Sequence, residues 1–296
     1  MGKSAVAEDV ALALGGQIVS ADSMQVYRGM DIGTAKTPAD ERRVPYHCVD
    51  IVDPDVAYSA ALYQHDARAA IANIRAEGNL PMVVGGTGLY VRAALDEMDF
   101  PAGEVASPLR EELEQLAADE GAAALHARLE AADPDAAALI HPNNVRRVVR
   151  ALEMAESGRP YAAQVARFSE RRAFYLRTLL VGITMDRGQL YSRVDARVDA
   201  MLDRGLLQEV RRLLAEGHRH PLTSAQAIGY KELVAVLDGE RTLEDATSVI
   251  KQATRRYVKR QLTWFRADPR VVWVDVTDLS PGQAALAVID LVESYD

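Results

Sequence analysis

The chain has 296 residues, 49% hydrophobic and 26% charged, which fits a globular protein of one large domain or one domain with a substantial insertion. Its formal net charge of −9 excludes a protein that coats nucleic acid indiscriminately, and its single cysteine, Cys48, excludes an intrachain disulfide and a cysteine-rich zinc site. No run of about 18 apolar residues and no signal-peptide pattern occurs, so a cytoplasmic protein that does not cross a membrane is expected.

The N-terminus carries Gly2-Lys3-Ser4 directly ahead of an alanine-rich helical stretch over 5–14. Gly-Lys-Ser/Thr at a helix start is the second half of a phosphate-binding loop. In such a loop, backbone amides and the helix N-terminus hold phosphates, the lysine neutralises them and the hydroxyl ligates Mg²⁺. Alone the triplet is equally an ordinary helix start.

Residues 17–21 form a short apolar run between Gly15-Gly16 and Asp22-Ser23 and read as a buried strand. Ser59 caps a helix running to about Glu77 and closed by Gly78. Residues 81–84 form a second strand, followed by Gly85-Gly86-Thr87-Gly88, with Thr87 a candidate N-cap for a helix over 88–95. From about residue 104 to 173 the sequence is Ala-, Glu- and Arg-rich and helical. It is broken at Gly121, Asp133-Pro134, His141-Pro142 and Gly158-Arg159-Pro160.

A third strand is expected within 175–183. Mostly helical sequence follows over 186–265, with stops at Gly205, 217–221 and Gly239. A fourth strand over 271–276 and a final helix over 280–294 complete the chain. Strands separated by helices imply an α/β fold: a parallel sheet flanked by helices, with a helical insertion at 104–173 between core segments 1–103 and 174–296. Ligands of such sheets bind beyond the carboxyl ends of the strands, where Asp22 and the Gly85–Thr87 turn fall.

Six basic residues without an acidic one, Lys251, Arg255, Arg256, Lys259, Arg260 and Arg266, make a stripe at helical spacing. It is either a solvated helix face or a track for a polyanion. Trp264 and Phe265 interleave with it and are available for stacking or for packing.

Four motifs occur in order: the run from Ser20-Ala21-Asp22-Ser23-Met24-Gln25-Val26-Tyr27 to Ile32-Gly33-Thr34-Ala35-Lys36; Gly85-Gly86-Thr87-Gly88-Leu89-Tyr90; Ile228-Gly229-Tyr230-Lys231-Glu232-Leu233; and Lys259-Arg260-Gln261-Leu262-Thr263-Trp264-Phe265-Arg266. Together with Ile140-His141-Pro142-Asn143 and Arg150-Ala151-Leu152-Glu153, they closely resemble the tRNA dimethylallyltransferase family of the bacterial type, and the resemblance runs over practically the whole chain.

The resemblance implies a P-loop NTPase-like core. It implies transfer of a dimethylallyl group from dimethylallyl diphosphate to N6 of the adenosine 3′ of the anticodon, in tRNAs that read codons beginning with U. The partners would be the tRNA anticodon stem-loop and dimethylallyl diphosphate, the cofactor Mg²⁺, and the state monomeric. By resemblance Gly2, Lys3, Ser4 and Arg187 bind the diphosphate, with Ser4 on the metal. Asp22 takes the proton of the attacking amine, a task suited to a carboxylate because that nitrogen becomes acidic only as it reacts. Lys3, Ser4 and Thr87 complete the catalytic set.

Asp22, Ser23, Met24, Gln25 and Thr87 match contacts to the target nucleotide, which must leave its stack to react. Arg110, Arg146, Arg147 and Arg150 match tRNA contacts of the insertion. Gly229, Tyr230, Lys231, Lys259, Arg260 and Arg266 match further tRNA contacts. The family pattern also has a strand and Gly-Pro-Thr-x-x ahead of Gly2, where this sequence has only Met1. The reading frame is therefore expected to begin upstream, and residues 1–296 alone to be poorly stable and weakly active. Two alternatives keep part of the pattern: prenyl transfer to free adenine nucleotides, which needs neither insertion nor basic stripe, and tRNA binding with catalysis lost at the loop. An ATP-dependent small-molecule kinase fits the 22–36 run poorly.

Overall fold

A computed structural model describes residues 2–100, 107–218, 224 and 227–295. The insertion boundary expected near residue 104, residues 219–221 of one expected helix stop, and residues 225 and 226 near the third motif lie outside these. Two compact units result: residues 1–95 with 175–296, and residues 96–174.

In the first unit, α1 (Lys3–Leu14) lies between Gly2 and Gly15, both in left-handed conformation at φ 69° and 63°. Strand β1 (Gly16–Ala21) follows at once and is buried along its whole length. It is the middle strand of a parallel sheet, between the two-residue β2 (Tyr46–His47) and β3 (Leu80–Gly85). The register aligns Ala21 with Gly85, so both strands end at one level. The sequence did not signal β2, whose two residues are too few to show alternation.

Helix α2 (Ala60–Ala76) is capped by the Ser59 hydroxyl on the Leu62 amide at 3.2 Å, as expected, and α3 (Gly88–Leu95) follows the glycine-rich turn. Strands β4 (Leu180–Thr184) and β5 (Val271–Asp275) pair in parallel as a second sheet. Between them run α9 (Arg187–Asp203), α10 (Leu206–Ala215), α11 (Tyr230–Leu237) and α12 (Leu243–Arg266), and α13 (Pro281–Glu293) closes the chain.

All strands are parallel, but the sheet is in two pieces. Among the described residues β3 pairs only with β1, and β4 only with β5. Side chains close the interval: Val6 and Val10 of α1, Leu190 and Val194 of α9, and Ala284, Ala285 and Val288 of α13 form one core with Met82 of β3 and Val181 and Ile183 of β4.

The second unit is helical. It contains α4 (Pro108–Asp119), α5 (Ala122–Ala132), α6 (Pro134–Leu139), α7 (Val145–Glu156) and α8 (Tyr161–Ser169), with breaks at the glycine and proline positions expected from sequence. Leu113, Leu125, Leu129, Val148 and Leu152 interlock in its core. Each large aliphatic side chain withdrawn from water there contributes about 1.5–3 kcal/mol. No described helix is long and apolar enough to cross a membrane.

Candidate active site

The end of β1 places Asp22 at the mouth of the first sheet, with its Oδ1 accepting the Met24 amide at 2.9 Å. This short turn fixes the carboxylate and points the next residues toward β3. There the Ser23 amide donates to Thr87 Oγ1 at 3.1 Å, and Thr87 Oγ1 donates to Ser23 Oγ at 3.3 Å. The Thr87 amide donates to the Ala21 carbonyl at 3.1 Å. A Cβ at Gly85 would collide with the Ala21 backbone, so only glycine permits this approach of the two strand ends. The Thr87 hydroxyl is thus spent on Ser23, while its carbonyl starts α3 by accepting the Tyr90 and Val91 amides.

Lys3, the first residue of α1, brings its ammonium into the same site. Burial of the charged end and the nearby Arg197 guanidinium push its pKa below the usual lysine value, and Asp22 works in the opposite sense. Arg197, on α9, is reached by solvent, yet enough protein surrounds it to lower its pKa, again against the pull of Asp22. Gly2 and Ser4 are exposed at the α1 start. Arg187 stands exposed at the α9 start, its guanidinium 5.2 Å from the Tyr191 ring centre.

Sequence reasoning missed Arg197. Its one signal was its place beside the buried stripe Leu190, Val194, Val198 and Met201 of α9.

Three phenols also lie within the field of Asp22: Tyr63, Tyr90 and Tyr257. Burial raises the pKa of each, so all are protonated near neutrality. Tyr63 and Tyr90 stack with ring centres 4.0 Å apart. Tyr257, on α12, lies beside Thr87 and Gln261. One helical face of α12 closes on the glycine-rich turn, since a Cβ at Gly86 would strike the Gln261 amide and one at Gly88 the Trp264 indole.

The run 25–36 is braced internally. The Gln25 side chain accepts from Ser20 Oγ at 2.8 Å and donates to the Thr34 carbonyl at 3.2 Å, so both ends of its amide are engaged. Lys36 is buried, with its ammonium on the Tyr27 carbonyl, Asp31 and Asp50. Glu209 of α10 accepts the amides of Asp31, Ile32 and Gly33 at 3.0, 2.8 and 3.2 Å and the Tyr230 hydroxyl at 2.6 Å. Gly229 and Tyr230 are buried and Lys231 is exposed.

The basic stripe divides in two. Lys251 pairs with Asp199 and Arg255 with Asp195, both on α9. Arg256, Lys259, Arg260 and Arg266 are exposed and hold no ion pair among the described residues; Arg260 lies over the Tyr257 ring and Arg266 over Trp273. In the helical unit Arg110 grips Glu153 with two bonds of 2.9 and 2.7 Å, and Arg150 approaches the same carboxylate at 3.4 Å. Arg146 and Arg147 are exposed.

The sequence profile described as IPP transferase matches residues 25–268. The tRNA dimethylallyltransferase of Carboxydothermus hydrogenoformans is 48% identical over 93% of this chain and 88% of its own length, and that of Symbiobacterium thermophilum 51% identical over 94% and 86%. The crystal structure of tRNA isopentenylpyrophosphate transferase from Bacillus halodurans superposes with a TM-score of 0.72 at 42% identity, covering 99% of this chain and 92% of that one. A eukaryotic dimethylallyltransferase acting on tRNA reaches a TM-score of 0.81 at 29% identity, covering 100% and 77%. The α/β core is of the P-loop NTPase-like type that these neighbours share, and the chain belongs to the IPP transferase family.

Proposed function

We propose that this protein transfers a dimethylallyl group from dimethylallyl diphosphate to N6 of the adenosine 3′ of the anticodon in tRNA. The observation that carries the reading is that Lys3 and Arg197 lie within the electrostatic reach of the Asp22 carboxylate, next to the Ser23–Thr87 bond, in a chain of this family. The nitrogen lone pair forms a bond to C1 of the allyl group as the C1–O bond breaks, and its electron pair leaves with the diphosphate. The N6 proton passes to Asp22. Lys3 and Arg197 neutralise the charge that grows on the leaving group.

Mg²⁺ would be held on the protein side by the Ser4 hydroxyl, which is exposed at the α1 start. When bound, the ion supplies further charge neutralisation at the diphosphate. The exposed half of the α12 stripe and the insertion arginines Arg146 and Arg147 suit the phosphates of an anticodon stem-loop. A monomer working in the cytoplasm accords with this substrate.

The test is incorporation of labelled dimethylallyl diphosphate into unmodified tRNA, run beside AMP as acceptor, with a gel-shift assay for tRNA. Asp22→Asn should lower turnover by about 10²–10⁴-fold while leaving tRNA affinity within twofold. Label in AMP alone, or binding without incorporation, would overturn the reading.

A further inference from the structure

Resting on that reading, the corner that leads into α7 bears on how the insertion arginines meet RNA. Helix α6 has six residues, so its last carbonyls lack an intrahelical donor and must find one elsewhere. His126 of α5 supplies it: its Nε2 stands 3.2 Å from the Ala137 carbonyl oxygen and 2.9 Å from that of Ile140. Both neighbours only accept, so Nε2 carries the ring proton and shares it between them. Among the described residues the Ile140 carbonyl has no other donor.

From Ile140 the chain turns at once into α7. His141 Nδ1 accepts the Asn143 amide at 3.2 Å, and the His141 carbonyl accepts the Asn144 amide at 2.8 Å. Asn144 is the N-cap residue of α7, but its side chain makes no capping bond, so the first turn depends on the corner ahead of it. Buried Val148, Val149 and Leu152 fix the inner face of the helix farther along. The first turn carries Arg146 and Arg147, both exposed and without an ion pair among the described residues. Such side chains take their direction from the backbone that bears them.

We infer that His126 is a positioning residue: by holding the Ala137 and Ile140 carbonyls it sets the path of the 140–144 corner, and with it the angle at which Arg146 and Arg147 meet the phosphates of the anticodon stem. Contacts to phosphates fix the register of a protein on a duplex, so a shift of this corner is felt in affinity whatever the base sequence. The role needs a donor at this place and no charge. A glutamine side chain can bring an N–H to the same carbonyls, whereas alanine and phenylalanine bring none.

The experiment uses the full chain and unmodified anticodon stem-loop RNA, with affinity read by gel shift from about 50 to 300 mM potassium chloride. His126→Ala should weaken binding about three- to tenfold and flatten the slope of log K against log salt by about 0.7 or more, the effect of one lost phosphate contact. It should leave kcat at saturating RNA and affinity for inorganic pyrophosphate within about twofold, since both belong to the site at Asp22. His126→Gln should bind like the wild type. In an Arg146→Gln/Arg147→Gln background, His126→Ala should cost less than about twofold more, because the groups it aims are gone. His126→Phe, a ring without a donor, runs through the same cycle and takes the place of His126→Ala if that protein does not fold.

A role in stability alone would lower Tm and the folded fraction while leaving the salt slope unchanged. An unchanged slope, losses fully additive with those of the arginines, or a His126→Gln protein as weak as His126→Ala would overturn the inference and leave the transferase reading intact. A wild type that binds the stem-loop without transferring the allyl group refutes the transferase reading, and the binding cycle still decides the role of His126. A wild type that does not bind the stem-loop overturns both.

Discussion

Lys3 and Arg197, on helices that begin 184 residues apart in sequence, both lie within the electrostatic reach of Asp22. Two cations near one carboxylate leave net positive charge there, and an anion that enters offsets both the burial of the Lys3 ammonium, the larger cause of its lowered pKa, and its repulsion by Arg197. Arg197 is exposed and takes no part in the apolar core, so Arg197→Gln should leave Tm nearly unchanged. The KM for dimethylallyl diphosphate should rise about 10–100-fold, the effect of losing a charged hydrogen bond of ~1.5–3 kcal/mol. Steady-state kinetics at saturating tRNA would show it, and an unchanged KM would remove Arg197 from the diphosphate site.

The same pair sets a pH dependence. In the free protein Lys3 gives up its proton below the ordinary lysine pKa of 10.5 because its charged end is buried and faces Arg197. A bound diphosphate favours the charged form and draws that pKa back up. Binding therefore takes up a proton at alkaline pH, and affinity falls as pH rises through the depressed pKa of the free lysine. The stability term has its own sign. Between the depressed value and 10.5 the unfolded chain binds more protons at this residue, so its contribution to stability rises with pH across that window. Calorimetric titration with inorganic pyrophosphate in two buffers of different ionisation enthalpy measures the uptake. Lys3→Met should abolish it.

Much of this site was legible in sequence because phosphate-loop, strand-end and turn chemistry are local. Gly2-Lys3-Ser4 at the α1 start, Asp22 at the end of β1 and the Gly85–Thr87 turn after β3 each follow from a few adjacent residues. Arg197, Tyr257 and Glu209 were not legible, because their roles depend on which helix face meets a loop distant in sequence, and periodicity does not name the partner. The division of the sheet was not legible either: among the described residues β3 and β4 each keep an edge without a strand partner, and side chains of α1, α9 and α13 pack with both. Resemblance alone placed Gln25, Arg110 and Tyr230 on tRNA. In the folded chain their polar groups are bonded to Ser20 and Thr34, to Glu153, and to Glu209, so protein partners already engage them.

Glu209 and Tyr230 hold the loop that follows the Asp22 turn. Glu209→Ala would strand three backbone amides and a buried phenol at once, a cost of about 3–5 kcal/mol. Thermal unfolding should shift down by roughly 6–20 °C, at about 2–4 °C per kcal/mol for a domain of this size. Tyr230→Phe removes one bond and should cost about 1–3 kcal/mol. Gly33→Ala should act like the larger change, because its Cβ would run into the Tyr230 ring. Differential scanning calorimetry of the three variants gives the ranking, and a Glu209→Ala protein as stable as wild type would refute the brace.

The division of the basic stripe yields a prediction on tRNA binding. Lys259 is exposed and unpaired among the described residues, whereas Lys251 is held by Asp199. A lysine that neutralises a phosphate releases a counter-ion, so its loss weakens binding and flattens the salt dependence, by about 0.7–0.9 in the slope of log K against log salt. Lys259→Gln should show both effects, with similar losses on every tRNA sequence because phosphates carry no base identity. Lys251→Gln should leave the slope within error and instead free Asp199, whose surface ion pair contributes less than about 1 kcal/mol to stability. Affinity measured from 50 to 300 mM potassium chloride separates the two variants. Identical slopes for wild type and Lys259→Gln would mean that the outer half of α12 does not touch the tRNA backbone.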